Sequence, residues 1–110
     1  MKSRGITMQD VNVLFQSVIL SIEEVTTFFY QQKDKEGYEK LNETISAIGM
    51  AMNEIHNQSV ESELFITIEH NINTYLNNAM EALSIKDSIL LADILLYEIA
   101  EQFREALNQL

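Results

Sequence analysis

The sequence predicts an all-α fold, an up-down-up-down antiparallel four-helix bundle. Proline is absent and only three glycines occur in 110 residues, whereas a sheet needs turn residues at frequent intervals. Apolar residues recur at spacings of three and four along four segments, which is the period of a helix face. The breaks between the segments are short, so consecutive helices should run antiparallel. With 46% hydrophobic residues, residues 1–110 are expected to form a single domain.

The first helix is predicted over residues 7–32. Thr7 is its expected N-cap, and Asp10 lies in the first turn, where a negative charge suits the helix dipole. Charged residues 33–36 and Gly37 are expected to form the first loop and to end this helix. The core-facing stripe comprises Val11, Leu14, Phe15, Val18, Ile22, Val25 and Phe29.

The second helix is predicted over residues 38–57. Gly49 lies at the flank of its apolar stripe and predicts a close helix crossing. The stripe alternates steps of three and four, the pattern of a bundle seam, through Tyr38, Leu41, Ile45, Ile48, Met52 and Ile55.

The third helix is predicted over residues 62–84 and the fourth over residues 88–109, with Asp87 or Ser88 as the N-cap of the fourth. An alternative, ranked second, fuses the second and third helices into one rod, because residues 57–62 contain neither glycine nor proline. The third stripe comprises Phe65, Ile68, Ile72, Leu76, Ala79 and Leu83. The fourth comprises Ile89, Ala92, Leu96, Ile99, Phe103 and Leu107.

Two apolar patches lie outside these stripes on a helical wheel. Val13 and Leu20 fall opposite the stripe of the first helix, and Leu90, Leu91 and Ile94 lie away from that of the fourth. A monomer usually keeps one face of each helix polar, and contiguous exposed apolar surface commonly marks an interface. We therefore expect these five residues to form an intermolecular interface. The alternative is that they are ordinary surface aliphatics and that the fourth helix is central.

The two histidines offer little for catalysis or metal binding. His70 is predicted to be exposed, as in histidine phosphotransfer domains, but residues 71–74 lack the lysine and glycine that follow the histidine there. The Glu-x-x-His motif of di-iron bundles fails at both histidines, because Asn53 and Thr67 stand three residues before His56 and His70. We expect no metal site.

The remaining chemistry-bearing candidate is Asp93, at the border of the fourth stripe. We expect it to make a hydrogen bond or salt bridge to a neighbouring helix, with a partly buried general base as the alternative. Cysteine is absent, and no phosphate loop or serine elbow occurs. The sequence therefore predicts no catalytic residue, no cofactor and no enzyme.

The charge of the chain limits its partners. The net charge is −10, from 17 acidic and 7 basic residues, and beyond Lys40 only Lys86 and Arg104 are basic. Such a surface repels polyanions, so nucleic acid and anionic membranes are not expected partners, whereas basic protein surfaces are. Acidity that serves only solubility is the alternative. Since no continuous apolar run approaches about 18 residues, we expect no membrane span and a cytoplasmic location.

One segment resembles a known family. Asp87, the run Leu91-Ala92-Asp93, Leu95 and the pair Tyr97-Glu98 are similar to an uncharacterised domain family of small helical proteins from Bacillus-like bacteria. The resemblance implies a helical fold and a Gram-positive bacterial source. That family has no assigned activity, so it adds no catalytic residue.

These observations favour a non-enzymatic protein-interaction module, an adaptor or a small acidic chaperone-like protein. The partner is another protein or a second copy, with a homodimer as the expected self-associated state. The alternatives are a structural homo-oligomer without a separate partner and, more remotely, a phosphocarrier that uses His70.

Overall fold

The computed structural model describes residues 8–110 and confirms the predicted fold class. Three helices span Met8–Tyr30 (α1), Asp34–Ser59 (α2) and Glu63–Ser84 (α3). The fourth, α4, is continuous through three segments: Ser88–Asp93, a π-helical turn at Ile94–Ile99, and Ala100–Leu107. Neighbouring helices pack antiparallel, and α1 contacts both α2 and α4, which closes the bundle. The predicted start of the first helix at Thr7 lies outside the described residues.

The predicted stripes of α1, α2 and α3 are buried or half-buried in one core. On α1, the side chains of Phe15, Val18 and Ile22 are fully buried, and the ring of Phe15 lies 5.6 Å from that of Phe103 of α4, centroid to centroid. The buried apolar residues of α2 and α3 are mostly those of their predicted stripes. They are Leu41, Ile48, Ala51, Ile55, Phe65, Ile68, Ile72, Ala79 and Ala82.

The composition of α1 has a further consequence. By length and composition alone, the segment Gln9–Tyr30 could cross a membrane. The sequence gives no sign of this as a continuous apolar run, because polar residues interrupt the segment. In the bundle Phe15, Ile22 and Phe29 of this helix are fully buried, and a core helix needs such a composition, whereas Val13 and Leu20 are exposed.

The loop between α1 and α2 is shorter than predicted. Gln32 adopts a left-handed conformation, with φ 60°. The N–H of Lys33 donates to the carbonyl of Phe28 at 2.8 Å, and that of Gln32 to the carbonyl of Phe29 at 3.0 Å. These two bonds form a Schellman turn, which satisfies the last carbonyls of α1 within two residues. The second helix therefore begins at Asp34, and the prediction of a loop over residues 33–37 is wrong.

The two glycines of α2 have roles other than those predicted. Gly37 is helical and buried, and a Cβ added there would lie 2.5 Å from the ring of Phe29. It is required for close packing of α2 on α1 and does not end a helix. Gly49 is exposed, and apart from the adjoining residues and backbone of its own helix nothing lies within 4 Å of an added Cβ. The predicted close helix crossing at Gly49 is wrong.

A short loop separates α2 from α3, so the fused rod does not form. The side chain of Ser62 accepts a hydrogen bond from the N–H of Phe65 at 3.3 Å and caps α3. Serine is favoured at this position because its hydroxyl satisfies an N–H that has no partner within the helix. The loop needs no glycine.

The register of α4 differs from the predicted stripe because the helix is irregular. Leu91, Leu95, Ile99 and Phe103 are all fully buried, at steps of four residues. In a regular α-helix each step of four turns the side chain by about 40° beyond a full turn. The π-helical segment, with the N–H of Ala100 bonded to the carbonyl of Leu95, holds more residues per turn and keeps this series on the core side.

Candidate interaction site

A groove opens between the C-terminal end of α3 and the first half of α4. Its volume is about 550 Å³. Ala82 and Ile94 are its buried apolar residues, and Ile85 and Leu90 are the exposed ones. Both charged residues that line it are acidic. The complete lining is Asn78, Glu81, Ala82, Ser84, Ile85, Leu90, Ile94 and Glu98.

The turn between the two helices positions the groove. Lys86 is left-handed, with φ 59°. Its N–H donates to the carbonyl of Leu83 at 3.1 Å, and the N–H of Asp87 donates to the carbonyl of Ala82 at 3.0 Å, which forms a second Schellman turn. Asp87 then caps α4, as predicted, by accepting a hydrogen bond from the N–H of Leu90 at 3.0 Å. The compact turn brings Leu90 beside the end of α3.

The predicted patch on α4 is only partly at the surface. Leu90 is 42% exposed, whereas Leu91 is completely buried and Ile94 is 6% exposed. Ile89, assigned to the core stripe, is instead exposed. The wheel misplaced Leu91, Ile94 and Ile89 because it assumed a regular helix over the whole segment. Leu91 therefore belongs to the core, and Ile94 contributes to the groove from its buried side.

The predicted patch on α1 is at the surface. Val13 is 56% exposed and Leu20 is 64% exposed. They stand seven residues apart on the side of α1 away from its buried residues, as the wheel predicted. Neither residue lines the groove between α3 and α4, so the two predicted patches do not form one site.

Of the residues that line the groove, the sequence predicts only Leu90 and Ile94 as interface residues. Neither Glu81 nor Ile85 is singled out by the sequence, and Glu98 enters only through the family resemblance, although all three line the groove. One signal was available. Ile85 directly follows the predicted end of the third helix, where a loop residue would ordinarily be polar.

Asp93 makes the interhelical contact expected of it. The hydroxyl of Tyr30, at the end of α1, donates to Oδ1 of Asp93 at 2.5 Å. Partial burial, followed by this hydrogen bond and the nearby negative charge of Asp93, raises the pKa of Tyr30 well above its usual value. Both side chains remain exposed, so the pair ties α1 to α4 at the surface and does not form a buried general base.

The two histidines lie on the outer surface. His70 is exposed, as predicted, and its side chain makes no hydrogen bond or ion pair with any of the residues 8–110. His56, near the end of α2, is exposed, and its Nδ1 lies 2.8 Å from Oε2 of Glu69 on α3. Within residues 8–110, no group of three or more histidine and carboxylate side chains could hold a metal ion.

Comparison with known proteins identifies a family for the chain. A family model described as a domain of unknown function, DUF8042, matches residues 6–109. The chain belongs to this family. No curated protein and no solved structure matches it. The DUF8042 match covers the groove and all four helices, so they are parts of one family domain.

Proposed function

We propose that this DUF8042 domain is a non-enzymatic protein-interaction module, an adaptor or a small chaperone-like protein, which binds a partner through the groove between α3 and α4. The observation that carries the proposal is the pair of exposed apolar side chains, Ile85 and Leu90, in one concave surface. Concave apolar surfaces with a few polar groups at their edges are the usual form of a binding site. Contiguous exposed apolar residues are also unfavourable unless a partner covers them.

The contacts of the titratable side chains support a role without catalysis. Among residues 8–110, no hydrogen bond or ion pair orients the side chain of His70, and neither His56 nor Glu69 lines the groove. Nucleophilic or acid–base chemistry needs paired groups in a shielded site. We therefore propose no catalytic residue, no cofactor and no phosphocarrier role.

The charge of the chain supports the remaining parts of the proposal. With a net charge of −10, the domain is proposed to bind neither nucleic acid nor anionic membranes. A cytoplasmic location is proposed on the same composition. A Gram-positive bacterial source is proposed from the resemblance of residues 87–98 alone.

A homo-oligomer, with a homodimer as its simplest form, is the second candidate. Val13 and Leu20 favour it, because two exposed aliphatic residues on one line of α1 could pair with the same residues of a second copy. The repulsion between two chains of charge −10 opposes it. Sedimentation of the pure protein at micromolar concentration separates the candidates: a homo-oligomer sediments as a dimer or larger, and the interaction module sediments as a monomer.

Affinity capture from cells of the source organism tests the proposed function. The baits are the wild-type chain, Leu90→Glu in the groove, and Met50→Glu as a matched control on an exposed site of α2. We expect mass spectrometry to identify a protein captured by the wild type and by Met50→Glu but lost with Leu90→Glu. Capture that is equal for all three baits, or recovery of the bait alone, would contradict binding through this groove.

A further inference from the structure

We infer that the occupant of this groove is a short amphipathic helix of another protein, with an apolar face flanked by lysine or arginine residues. This inference rests on the proposed function and adds the chemical class of the partner. It follows from the chemistry of the lining, the length of the groove and the sign of its charges.

The lining excludes the other common modes of peptide recognition. The described residues contain no β-strand, so there is no sheet edge to which an extended peptide could add. Proline-rich peptides dock against aromatic side chains, and phosphorylated or acidic peptides dock against arginine clusters. The groove has neither. An aliphatic groove between two helices is the surface that accepts the apolar face of a third helix.

The size of the groove fits about two helical turns. Its α3 wall runs over residues 78–84 and its α4 wall over residues 90–98, which correspond to about 9 and 12 Å of helix. A partner helix of this length presents apolar side chains at positions i, i+3 or i+4, and i+7. Leu90 and Ile85 are the exposed apolar groups available to them, and Ile94 lies deeper.

The charges of the groove select a basic partner. Glu81 and Glu98 are its only charged lining residues, and neither makes a salt bridge within the described chain. Lys86, which follows Ile85 in the chain, lines a different cavity with Asp34, Tyr38 and Leu83. A basic residue beside the apolar face of the partner would therefore meet an unpaired carboxylate. The overall charge of −10 adds long-range attraction for the same partner.

The helices described within residues 8–110 of a second copy do not offer such a face. Each of the four helices carries more acidic than basic side chains, and α1, with the exposed Val13 and Leu20, carries acids and no lysine or arginine. A copy docked in the groove would bring acidic groups against Glu81 and Glu98. The occupant is therefore a different protein.

Synthetic helical peptides test the inference on the full-length chain. The probe is a labelled peptide of about 14 residues, roughly 21 Å long as a helix, with leucine on one face and lysine elsewhere. One comparison peptide has the same composition in a scrambled order, which removes the apolar face. The other keeps the face and replaces lysine by glutamate. Fluorescence polarisation gives Kd at low and moderate salt.

The matched variants separate the groove from the general acidity of the chain. Glu81→Gln with Glu98→Gln neutralises the groove, and Glu61→Gln with Glu105→Gln removes the same charge at the other end of the bundle. We expect the basic amphipathic peptide to bind more tightly than both comparison peptides. The double substitution Glu81→Gln with Glu98→Gln should raise the Kd of this peptide by about three- to tenfold. The Glu61 and Glu105 pair should leave Kd within about twofold. Leu90→Glu, still folded, should weaken it by at least about tenfold.

The outcomes distinguish this inference from the proposed function. Equal binding of the basic and scrambled peptides, or equal effects of the two glutamine pairs, would overturn the inference. Preference for the acidic peptide, or no detectable binding of the basic one, would also overturn it. If affinity capture still identifies a partner that depends on Leu90, the proposed function stands and only the class of partner is wrong. If the basic peptide does not bind and affinity capture identifies no partner that depends on Leu90, both the inference and the proposed function are wrong.

Discussion

The two hairpins of the bundle, α1–α2 and α3–α4, contain the same type of turn but differ in the side chains that surround it. Gln32 and Lys86 are both left-handed, and each is followed by the same pair of Schellman hydrogen bonds. In the α1–α2 hairpin, the ring of Phe29 fills the space over Gly37 and packs against Tyr38, with ring centroids 5.0 Å apart. That hairpin is closed by aromatic packing.

In the α3–α4 hairpin the same turn leaves a groove. Its exposed aliphatic residues, Ile85 and Leu90, lie on either side of the turn, and no aromatic residue of the described chain lines the groove. The comparison shows that the backbone turn does not decide whether a hairpin is filled or open. The side chains decide it, and an unfilled hairpin with aliphatic walls is a surface on which a partner can dock.

The largest difference in stability should be found between substitutions of two adjacent leucines of α4, Leu90 and Leu91. Leu91 lies five residues after the left-handed Lys86 and is completely buried. Gly37, which is also buried, lies five residues after the left-handed Gln32 in the other hairpin. Leu91→Glu places a charge without a partner in the core and should cost about 3–5 kcal/mol, enough to unfold a small domain. Leu90→Glu should leave the helical circular dichroism and the melting temperature nearly unchanged. Equal effects of the two substitutions would mean that the register of α4 given by its π-helical segment is wrong.

The next effect concerns the closed hairpin. Gly37→Ala forces a methyl group against the ring of Phe29 and should destabilise the protein by about 1–3 kcal/mol. Gly49→Ala is the control, because the position is helical and has open space around it. It should stabilise the protein by about 0.5–1 kcal/mol through the higher helix propensity of alanine. Chemical denaturation measures both, and the same sign for both would contradict the packing described for Gly37.

A smaller effect concerns the contact between the hairpins, from Tyr30 of α1 to Asp93 of α4. Because the folded state raises the pKa of Tyr30 above the unfolded value, its contribution to stability is complete below about pH 10 and is lost as the pH rises beyond it. Tyr30→Phe should cost about 0.5–1.5 kcal/mol at neutral pH. The difference from the wild type should shrink in alkaline solution, as measured by urea denaturation across pH. A difference that is constant with pH would exclude the hydrogen bond as its source.

The smallest effect concerns the shared turn itself. Glycine adopts left-handed conformations without steric cost, so Gln32→Gly and Lys86→Gly should each stabilise the protein by about 0.5–1 kcal/mol. Lys35→Gly, inside the first turns of α2, is the control and should destabilise it by a similar amount. Thermal melts of the three variants check whether the two hairpins share the turn. Stabilisation by only one of the first two substitutions would break that equivalence.

The regular helices could be predicted from the sequence, and the irregular features could not. The alternation of steps of three and four in α1 and α2 placed Phe15 and Ile48 in the core correctly, because a wheel of about 100° per residue describes these helices. In α4 the steps of four from Leu91 to Phe103 do not fit that wheel. The spacing of four is visible in the sequence, but these residues share one side of the helix only because of the π-helical segment, which no residue pattern indicates.

The groove was beyond sequence reasoning for a related physical reason. Leu90 was predicted to be at the surface, but Ile85 and Glu98 become its neighbours only when α4 folds back on α3. That return depends on Lys86 adopting a left-handed conformation, which favours glycine and is uncommon for lysine. The prediction for Gly37 is wrong because a tertiary contact, and not a turn, requires glycine there. It resembled a turn residue, but packing against Phe29 determines its place.

Mapping the binding surface by nuclear magnetic resonance tests the central claim most directly. The ¹⁵N-labelled wild-type chain is titrated with the basic amphipathic peptide, and the amide chemical shifts are followed along all four helices. Our account predicts that the largest shifts cluster at residues 78–85 and 90–98 around the groove, and that Val13 and Leu20 are nearly unaffected. Shifts centred on Val13 and Leu20, or spread evenly over the acidic surface, would contradict it.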